Sequence, residues 1–296
     1  MAHLEQLRRD MIDYANNCGF DDWPQPTHVP TLSLVRSRVP TQFTAVDYQP
    51  LFCLVLQGSK QTLIGESLHR FGALQSLIVS LDLPATACVV EATAQTPYLA
   101  LALDLDIGLL RDLASELDDL AGMDSPPSRT ALVVGDADPA LIDAMARLFA
   151  LRGSAMDIEV LAPLVIREIH YRLLLGNQGA ALRALMQPDG QASRIARAIT
   201  RIRRDYTAPL TIAGLAREAG MSISAFHDHF RALTGTTPLQ YQKALRLMEA
   251  RRRLQGTAAS VTAIAFEVGY ESPTQFSREY RRKFGQSPRE DRPVTA

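Results

Sequence analysis

The chain has 296 residues, 47% of them apolar and 21% charged, a composition that allows two compact domains and excludes a disordered protein. Its net charge of −1 hides an asymmetry, since residues 191–296 carry 18 basic and 9 acidic side chains whereas residues 1–190 carry 13 and 23. This split favours a polyanionic partner for the basic part, with a merely solvated basic surface as the alternative.

Cysteine usage and the apolar segments narrow the class of protein further. Cys18, Cys53 and Cys88 lie 35 residues apart without a CxxC pair, which is typical of neither a disulfide framework nor a zinc site. The amphipathic start is unlike a secretory signal, and the most apolar window is interrupted by Asp82 and Pro84. We therefore expect a reduced, cytoplasmic protein with no membrane span.

The first part of the chain predicts a leading helix followed by a β-rich region. Apolar residues at helical spacing indicate a helix over residues 4–18. Between about residues 31 and 105, seven short runs rich in β-branched and apolar residues alternate with turn residues. Strands at this spacing predict a sandwich or a barrel.

Helical patterns follow the strands. They cover residues 106–120, 139–152 and 157–175, with a Pro/Ser/Gly loop at 122–130. An apolar stripe on the second of these helices is either a dimer seam or a cover for the barrel, and we favour a dimer role for the 138–175 helices. The stripe consists of Leu141, Ile142, Met145, Leu148 and Phe149. The polar, turn-rich segment 186–193 is the predicted interdomain linker.

The basic third contains an internal repeat. LTIAGLAREAGMSISAFHDHFRALTGTTP, from Leu210, aligns with SVTAIAFEVGYESPTQFSREYRRKFGQSP, from Ser260. Each copy predicts a short helix, a glycine turn and a second helix, which is the helix-turn-helix pattern. The paired positions, 49 or 50 residues apart, are Ala216 with Ala265, Gly220 with Gly269, Phe226 with Phe276, Phe230 with Tyr280, Gly235 with Gly285, and Pro238 with Pro288.

Local chemistry supports the helix boundaries. We expect a positive φ at Gly220 and Gly269, and a capping box with a proline start at SPTQ from Ser272. The aromatic residues four apart in each second helix predict its buried face. PLQYQKALRLMEARRRLQ predicts one connecting helix about 27 Å long. Since major-groove faces repeat every ~34 Å, this connector could place both second helices on one side of a duplex.

The second copy predicts a base-reading and a phosphate-binding group of side chains. We assign Thr274, Gln275 and Arg278 to base edges. Arg281, Arg282 and Lys283, nearer the end of the helix, are assigned mainly to phosphates. The capping box is an alternative role for Gln275.

The first copy is less cationic than the second. Its binding to nucleic acid is therefore expected to depend more on shape and apolar contacts. Its exposed set is Ser224, Ala225, His227, Asp228 and Arg231. His227 is interpreted as a polar base or phosphate contact, with a solvated imidazole as the alternative. His227 and His229 are two residues apart, so they point to different helix faces and do not form a metal pair.

With both copies in place, residues 194–292 resemble the C-terminal DNA-binding domain of the AraC family of bacterial transcription regulators. The matching segments are AREAGMSISAFHDHFRALTGTTPLQYQKALRL, EARRRL and AFEVGYESPTQFSREYRRKFGQSP. Residues before them resemble the N-terminal domain of one AraC subgroup, through HVPTLSLVRS, FCLVLQGSKQTLIGE, SLDLPATACVVEA, PYLALALDLD and LVIREIHYRLLLG. The resemblance implies a cupin-like barrel that senses a small molecule, helices that dimerise, and a double motif that binds an asymmetric promoter site.

The effector contacts are weakly indicated by the sequence. Strand alternation puts Arg36 and Arg38 on one side, where they would favour an anionic or carbonyl-bearing ligand if that side faces the lumen. A shifted register that leaves both arginines solvated is the alternative, and core filling explains the apolar candidates equally well. The candidate set is Arg36, Arg38, Phe52, Leu54, Leu56 and His69.

Two other functions stay open at this point. One is a redox- or electrophile-sensing regulator that uses Cys53 or Cys88, although a cysteine in an apolar strand is usually a packing residue. The other is a metal-dependent cupin enzyme fused to a DNA-binding module. The strand region offers only His69, with His28 just ahead, so we predict no metal, no cofactor and no enzymatic activity.

The sequence thus predicts an α+β protein in two parts. A cupin-like domain over residues 1–185 has its barrel at about 28–105 and dimerisation helices at about 106–176. After the linker, an all-α domain over 194–296 carries two helix-turn-helix motifs joined by a long helix. The expected function is a small-molecule-responsive activator, with promoter DNA, RNA polymerase and a second copy of the chain as partners.

Overall fold

The computed structural model describes residues 2–121 and 130–292. The predicted loop at 122–130 falls almost entirely outside these ranges, as do the last four residues of the predicted C-terminal domain. Within the two ranges, no helix combines the length and the apolar character that crossing a membrane requires.

The N-terminal part is built from two antiparallel sheets. All seven predicted strands are present, and β1, β3 and β10 join them without having been predicted. The strands are β1 (Gln25–Pro26), β2 (Leu32–Ser37), β3 (Thr44–Tyr48), β4 (Leu51–Gln57), β5 (Ser59–Ile64), β6 (Ser67–Gly72), β7 (Gln75–Val79), β8 (Leu83–Glu91), β9 (Tyr98–Asp104) and β10 (Leu132–Asp136).

The strand pairing places a cavity between the sheets. One sheet has the order β1-β2-β9-β4-β7-β10 and the other the order β3-β8-β5-β6. Strand β4 is central in the larger sheet, and its residues Phe52 to Leu56 are buried on both faces. One face of β4 is covered by helices and the other faces the cavity, so the simple apolar-polar alternation of a half-exposed strand is absent there.

Eleven helices occur in the described ranges. The sequence predicted most of them, whereas α5 and α6 were not predicted, and α6 starts inside the predicted linker. They are α1 (Ala2–Asn17), α2 (Ile107–Ala121), α3 (Pro139–Ala150), α4 (Ala155–Leu175), α5 (Ala180–Met186), α6 (Gln191–Arg204), α7 (Ile212–Glu218), α8 (Ile223–Thr234), α9 (Pro238–Gly256), α10 (Val261–Glu267) and α11 (Pro273–Phe284).

The apolar stripe of α3 belongs to the core. Leu141, Met145, Leu148 and Phe149 are buried, and Ile142 packs against the same cluster. Of the two alternatives left open by the sequence, the stripe therefore covers the β-domain. Of the helices α3 and α4, only α4 has large apolar side chains that remain exposed among the described residues.

The hydrophobic core extends from the β-domain into the first helix-turn-helix unit. One continuous cluster reaches Phe226, Phe230 and Tyr241. A second, smaller cluster contains Phe276 and Tyr280 and belongs to the second unit alone. The two units of the repeat therefore have different structural neighbours.

Polar contacts reinforce the junction between the β-domain and the first unit. Arg203 on α6 donates two hydrogen bonds to the Asp47 carboxylate, at 2.9 and 2.6 Å. The hydroxyl of Tyr241 donates to the carbonyl oxygen of Asp82 at 2.8 Å. At the end of α8, Gly235 lies so close to Gly65 of the β5–β6 turn that a Cβ on Gly65 would collide with its carbonyl oxygen.

Candidate nucleic-acid interface and ligand cavity

Both helix-turn-helix units have the predicted turn and caps. Gly220 and Gly269 adopt positive φ values of 63° and 90°, which a residue without Cβ reaches at little cost. The second helices start at serines, since Ser222 Oγ accepts from Ala225 N at 3.2 Å and Ser272 Oγ accepts from Gln275 N at 3.3 Å. These bonds satisfy backbone donors of the first turn and fix where α8 and α11 begin.

The aromatic pairs form the buried faces of α8 and α11, as predicted. Phe226 and Phe230 are fully buried with ring centroids 5.8 Å apart. Phe276 and Tyr280 are also fully buried, with centroids 5.5 Å apart. Because these rings occupy the core, the opposite face of each helix is turned to solvent.

Most of the α11 residues predicted to bind DNA lie on that solvent face. Thr274, Arg278, Arg281 and Arg282 are exposed. In the described chain, the three arginines have no acidic side chain within the 4 Å of an ion pair. By contrast, Arg253 on α9 is paired with Glu249 and Glu267. Cations left unpaired on one helix face are available for an anionic partner.

Gln275 and Lys283 have surroundings that the sequence did not indicate. Gln275 is exposed, but its Nε2 donates to Glu279 Oε1 at 3.1 Å rather than closing a capping box. Lys283 is half-buried in a groove shared with the β5–β6 turn, and burial lowers the pKa of its ammonium group. Lys283 is therefore less exposed than the three arginines, and it shares this groove with Arg282.

Glu279 is a buried acid that sequence reasoning missed. It accepts hydrogen bonds from Lys243 Nζ at 2.9 Å and from the hydroxyl of Tyr270 at 2.8 Å. Burial raises the pKa of its carboxyl, but the donors Lys243, Gln275 and Tyr270 outweigh burial and lower it overall. The sequence did contain a signal for this buried acid, since the glutamate is flanked by aromatic residues on a helix face that is otherwise buried.

The first unit presents a less cationic surface. Ser224, Asp228 and Arg231 are exposed on α8, whereas Ala225 and His227 are half-buried. Arg231 is the single basic residue of the predicted set. The surface of α8 is therefore nearly neutral beside that of α11.

The cavity between the two sheets has a volume of about 370 Å³, within the ~300–1,000 Å³ typical of small-molecule sites. Its wall is mostly apolar and includes Val35, Leu77 and Val89. Lys60 of β5 also lines it, which sequence reasoning missed. Strand alternation could have revealed this position. Lys60 lies two residues before Thr62 and four before Ile64, so all three side chains share the inward face of β5.

The predicted effector residues lie mainly outside this cavity. Phe52, Leu54 and Leu56 are buried on the other face of β4, and His69 lies on β6 away from the cavity wall. Arg36 borders the cavity, but its guanidinium donates to Asn16 Oδ1 at 2.7 Å and to the carbonyl of Phe20. Arg38 is exposed and donates to Asp22 Oδ1 at 2.9 Å.

Cys53 and Cys88 lack the environment of reactive thiols. Cys18 is exposed, and Cys53 and Cys88 are buried. Burial raises the pKa of the Cys53 thiol to about 11 and also raises that of Cys88, so both are protonated at neutral pH. No specific observation favours the thiol-sensor alternative. Among the described residues, no three histidine, cysteine or acidic side chains are grouped to hold a metal ion.

Two family models match the chain. One, described as the AraC-type transcriptional regulator N-terminus, matches residues 28–181, which is more than half of the chain. The other, described as a helix-turn-helix domain, matches residues 215–293. Together they cover both parts of the structure.

Similar proteins are transcription regulators. The transcriptional activator RhaS of Pectobacterium atrosepticum is 35% identical over 88 residues, 30% of this chain and 32% of RhaS. The transcriptional regulator CdhR of Pseudomonas aeruginosa is 32% identical over 162 residues, 52% of this chain and 45% of CdhR. The chain thus matches about a third to a half of the length of these curated relatives.

A solved structure shares the fold over most of the chain. ToxT from Vibrio cholerae, with an unsaturated fatty acid bound, has a TM-score of 0.56 and covers 88% of this chain and 93% of its own. The sequence identity is 8%, so this likeness concerns the fold alone.

Proposed function

This chain belongs to the AraC family of transcriptional regulators, and from that premise we propose that it binds duplex promoter DNA with α8 and α11 in consecutive major-groove segments. The observation that carries the proposal is the solvent face of α11, where three arginines lack acidic partners. Arg278, with Thr274 and Gln275, reads base edges, because bidentate arginine is the commonest reader of guanine. Arg281 and Arg282 bind phosphates.

The proposed role is that of an activator that recruits RNA polymerase in the cytoplasm, without catalysis of its own. The name of RhaS as a transcriptional activator supports this reading. On α8, Ser224, Ala225, His227 and Asp228 fit the groove mainly by shape, and Arg231 contributes the single positive charge.

A gel-shift titration tests the DNA-binding proposal. The purified full chain is titrated against the promoter segment next to its own gene and against a scrambled duplex at moderate salt. Arg278→Ala should weaken promoter binding by about 1–3 kcal/mol and relax the preference between the two duplexes. Arg252→Ala, which removes an exposed arginine of α9, is the matched control. Equal affinity of the wild type for both duplexes would contradict the proposal.

The cavity between the sheets is the proposed effector site. It lies between the two sheets, is mostly apolar and is large enough for a small organic molecule. The unsaturated fatty acid in ToxT, a protein of similar fold, supports a ligand-responsive role for the N-terminal domain. Asp47 both lines this cavity and pairs with Arg203 of α6, so the cavity has a direct polar connection to α6, which contacts α8 of the first helix-turn-helix unit.

A second copy of the chain is the proposed partner of α4. Met156, Val160 and Leu164 recur at intervals of four residues and are 76%, 60% and 63% exposed. Antiparallel pairing of two α4 helices would set Asp157 at its acidic start opposite Arg172 near its end. Such a seam would bury the stripe and match the charges.

Light scattering of the purified chain tests the dimer. The double variant Val160→Glu, Leu164→Glu should convert a dimer to a monomer at micromolar concentration. Leu68→Glu, which charges an equally exposed leucine of β6, should leave the mass unchanged. A wild-type monomer across the concentration range, or a dimer unaffected by the double variant, would contradict the α4 interface.

A further inference from the structure

The cavity contains a cation that its own walls do not neutralise. Lys60 is half-buried on β5, and its inward neighbours Thr62 and Ile64 are buried. Within the described ranges, Lys60 Nζ forms no ion pair and no side-chain hydrogen bond. Its recorded contact is with the face of the Tyr48 ring, at 5.9 Å from the centroid.

The acidic residues that line the cavity either form ion pairs with other residues or are exposed to solvent. Asp22 pairs with Arg38, and Asp47 pairs with Arg203. Asp104 is exposed and is not within ion-pair distance of Lys60. A partly desolvated ammonium group without a counter-charge is costly, so this position favours an anion that enters the cavity.

The thiols beside Lys60 do not supply that anion. Cys53 and Cys88 both line the cavity, and the positive charge of Lys60 acts on each of them. Burial nevertheless dominates and keeps both pKa values above the ordinary thiol range. At neutral pH the thiols are uncharged, and they extend the apolar wall.

The rest of the cavity suits an apolar molecule. Phe71 and Leu77 line the wall near Val89, and they leave a mostly hydrocarbon surface. Trp23 also lines the cavity and is 57% exposed, so its ring extends the apolar surface towards solvent. Exposed aromatic side chains beside a cavity are typical of ligand-binding sites.

We infer that the cavity binds a monoanionic amphiphile, a carboxylate whose charge pairs with Lys60 Nζ and whose apolar body lies between the sheets towards Trp23. This inference rests on the proposed effector role of the cavity. One ammonium group balances one negative charge, so a dianion would bring an uncompensated charge into an apolar space. Asp104, which also lines the cavity, further disfavours a dicarboxylate, because a second carboxylate would add another negative charge to the same space.

Calorimetric titration of the full chain with matched ligands tests the inference. The probes are octanoate, octanamide and octanedioate, which share a chain length and differ in charge. Octanoate should bind about ten- to a hundredfold more tightly than the amide, since a charge-assisted hydrogen bond is worth about 1.5–3 kcal/mol. The dicarboxylate should bind more weakly than octanoate.

Three variants isolate the role of Lys60. Lys60→Met keeps the length of the side chain and should reduce octanoate affinity to that of the amide. Lys60→Arg keeps the charge and should restore most of it. Lys283→Met removes a half-buried lysine outside the cavity and should leave octanoate binding unchanged. A thermal melt of each variant confirms that it is folded.

The outcomes separate this inference from the DNA-binding proposal. Equal binding of octanoate and octanamide, unchanged octanoate binding by folded Lys60→Met, or no binding of octanoate would each overturn the inference. Promoter recognition in the gel shift would survive any of these results. Loss of promoter preference with Lys60-dependent octanoate binding intact would instead overturn the DNA-binding proposal and leave the ligand class standing.

Discussion

The two helix-turn-helix units share their local construction and differ in their surroundings. In both, a left-handed glycine ends the first helix and a serine caps the second. The first unit shares its core with the β-domain, and Tyr241 and Arg203 bond directly to that domain. The second has a core of its own. Arg246 of α9 holds its turn by donating to Gly269 O at 2.7 Å.

Two copies of a sequence repeat therefore need not have equal roles in the folded protein. The end of α8 lies against the β-domain, where Ala131 N donates to Leu233 O at 3.1 Å, and α8 carries one exposed arginine of the predicted set. The solvent face of α11 carries three arginines without ion pairs. We therefore expect the first unit to respond to the state of the β-domain and the second to supply most of the charge-dependent binding.

Removal of an equivalent core phenylalanine from each unit should give the largest contrast. Phe276→Ala and Phe226→Ala each cost about 3–5 kcal/mol of unfolding free energy. Because the second core is separate, Phe276→Ala should increase amide exchange in α10 and α11 while β4 stays protected. Phe226→Ala should lower protection in the β-domain as well. Identical exchange profiles for the two variants would contradict the division of the core.

The salt dependence of DNA binding should differ between the units. Replacement of both Arg281 and Arg282 by Ala should reduce the slope of log K against log salt by about two, close to one per lost phosphate contact. Arg231→Ala should reduce it by about one at most. Fluorescence anisotropy at four salt concentrations measures both slopes. A larger change for Arg231→Ala would reverse the assignment of charge-dependent binding to α11.

The ion pair at the junction should contribute a small coupling energy. Asp47 and Arg203 are partly exposed, so a double-mutant cycle with Asp47→Asn and Arg203→Gln should give about 0.5–1 kcal/mol in urea unfolding. The matched pair Arg253 and Glu267 lies within the second unit, and its cycle should not change the stability of the β-domain. A null coupling for Asp47 and Arg203 would indicate that the shared apolar core alone holds the first unit.

Acidification should affect the second unit selectively. The pKa of Glu279 is lowered in the folded protein, so its contribution to stability is present above the unfolded pKa of about 4.3 and is lost as pH falls through the folded value. The equivalent position in the first unit is His229. Protection of the α11 amides, corrected for the intrinsic pH dependence of exchange, should therefore fall at acidic pH. Glu279→Gln should remove most of that pH dependence, and an unchanged dependence would assign it to other groups.

The sequence predicted the elements whose signals are local. The helix-turn-helix units were readable because their glycines, capping serines and buried aromatics act within one or two helical turns. Strands β3 and β10 were missed because Asp47 in β3 and Gly135-Asp136 in β10 interrupt the apolar pattern, and their pairing partners β8 and β7 lie tens of residues away in the chain. The side of β4 that faces the cavity was also not predictable, since both of its faces are buried.

By itself, the sequence determined the family, the two-part architecture and the buried and exposed faces of α8 and α11, because periodicity and capping chemistry depend on neighbouring residues. Packing in three dimensions was needed to place Lys60 on the cavity wall, Asp47 against Arg203 156 residues away, and Lys283 with Arg282 in a groove beside the β5–β6 turn. Those facts depend on which surfaces meet when the sheets and helices pack, and no local pattern carries that information.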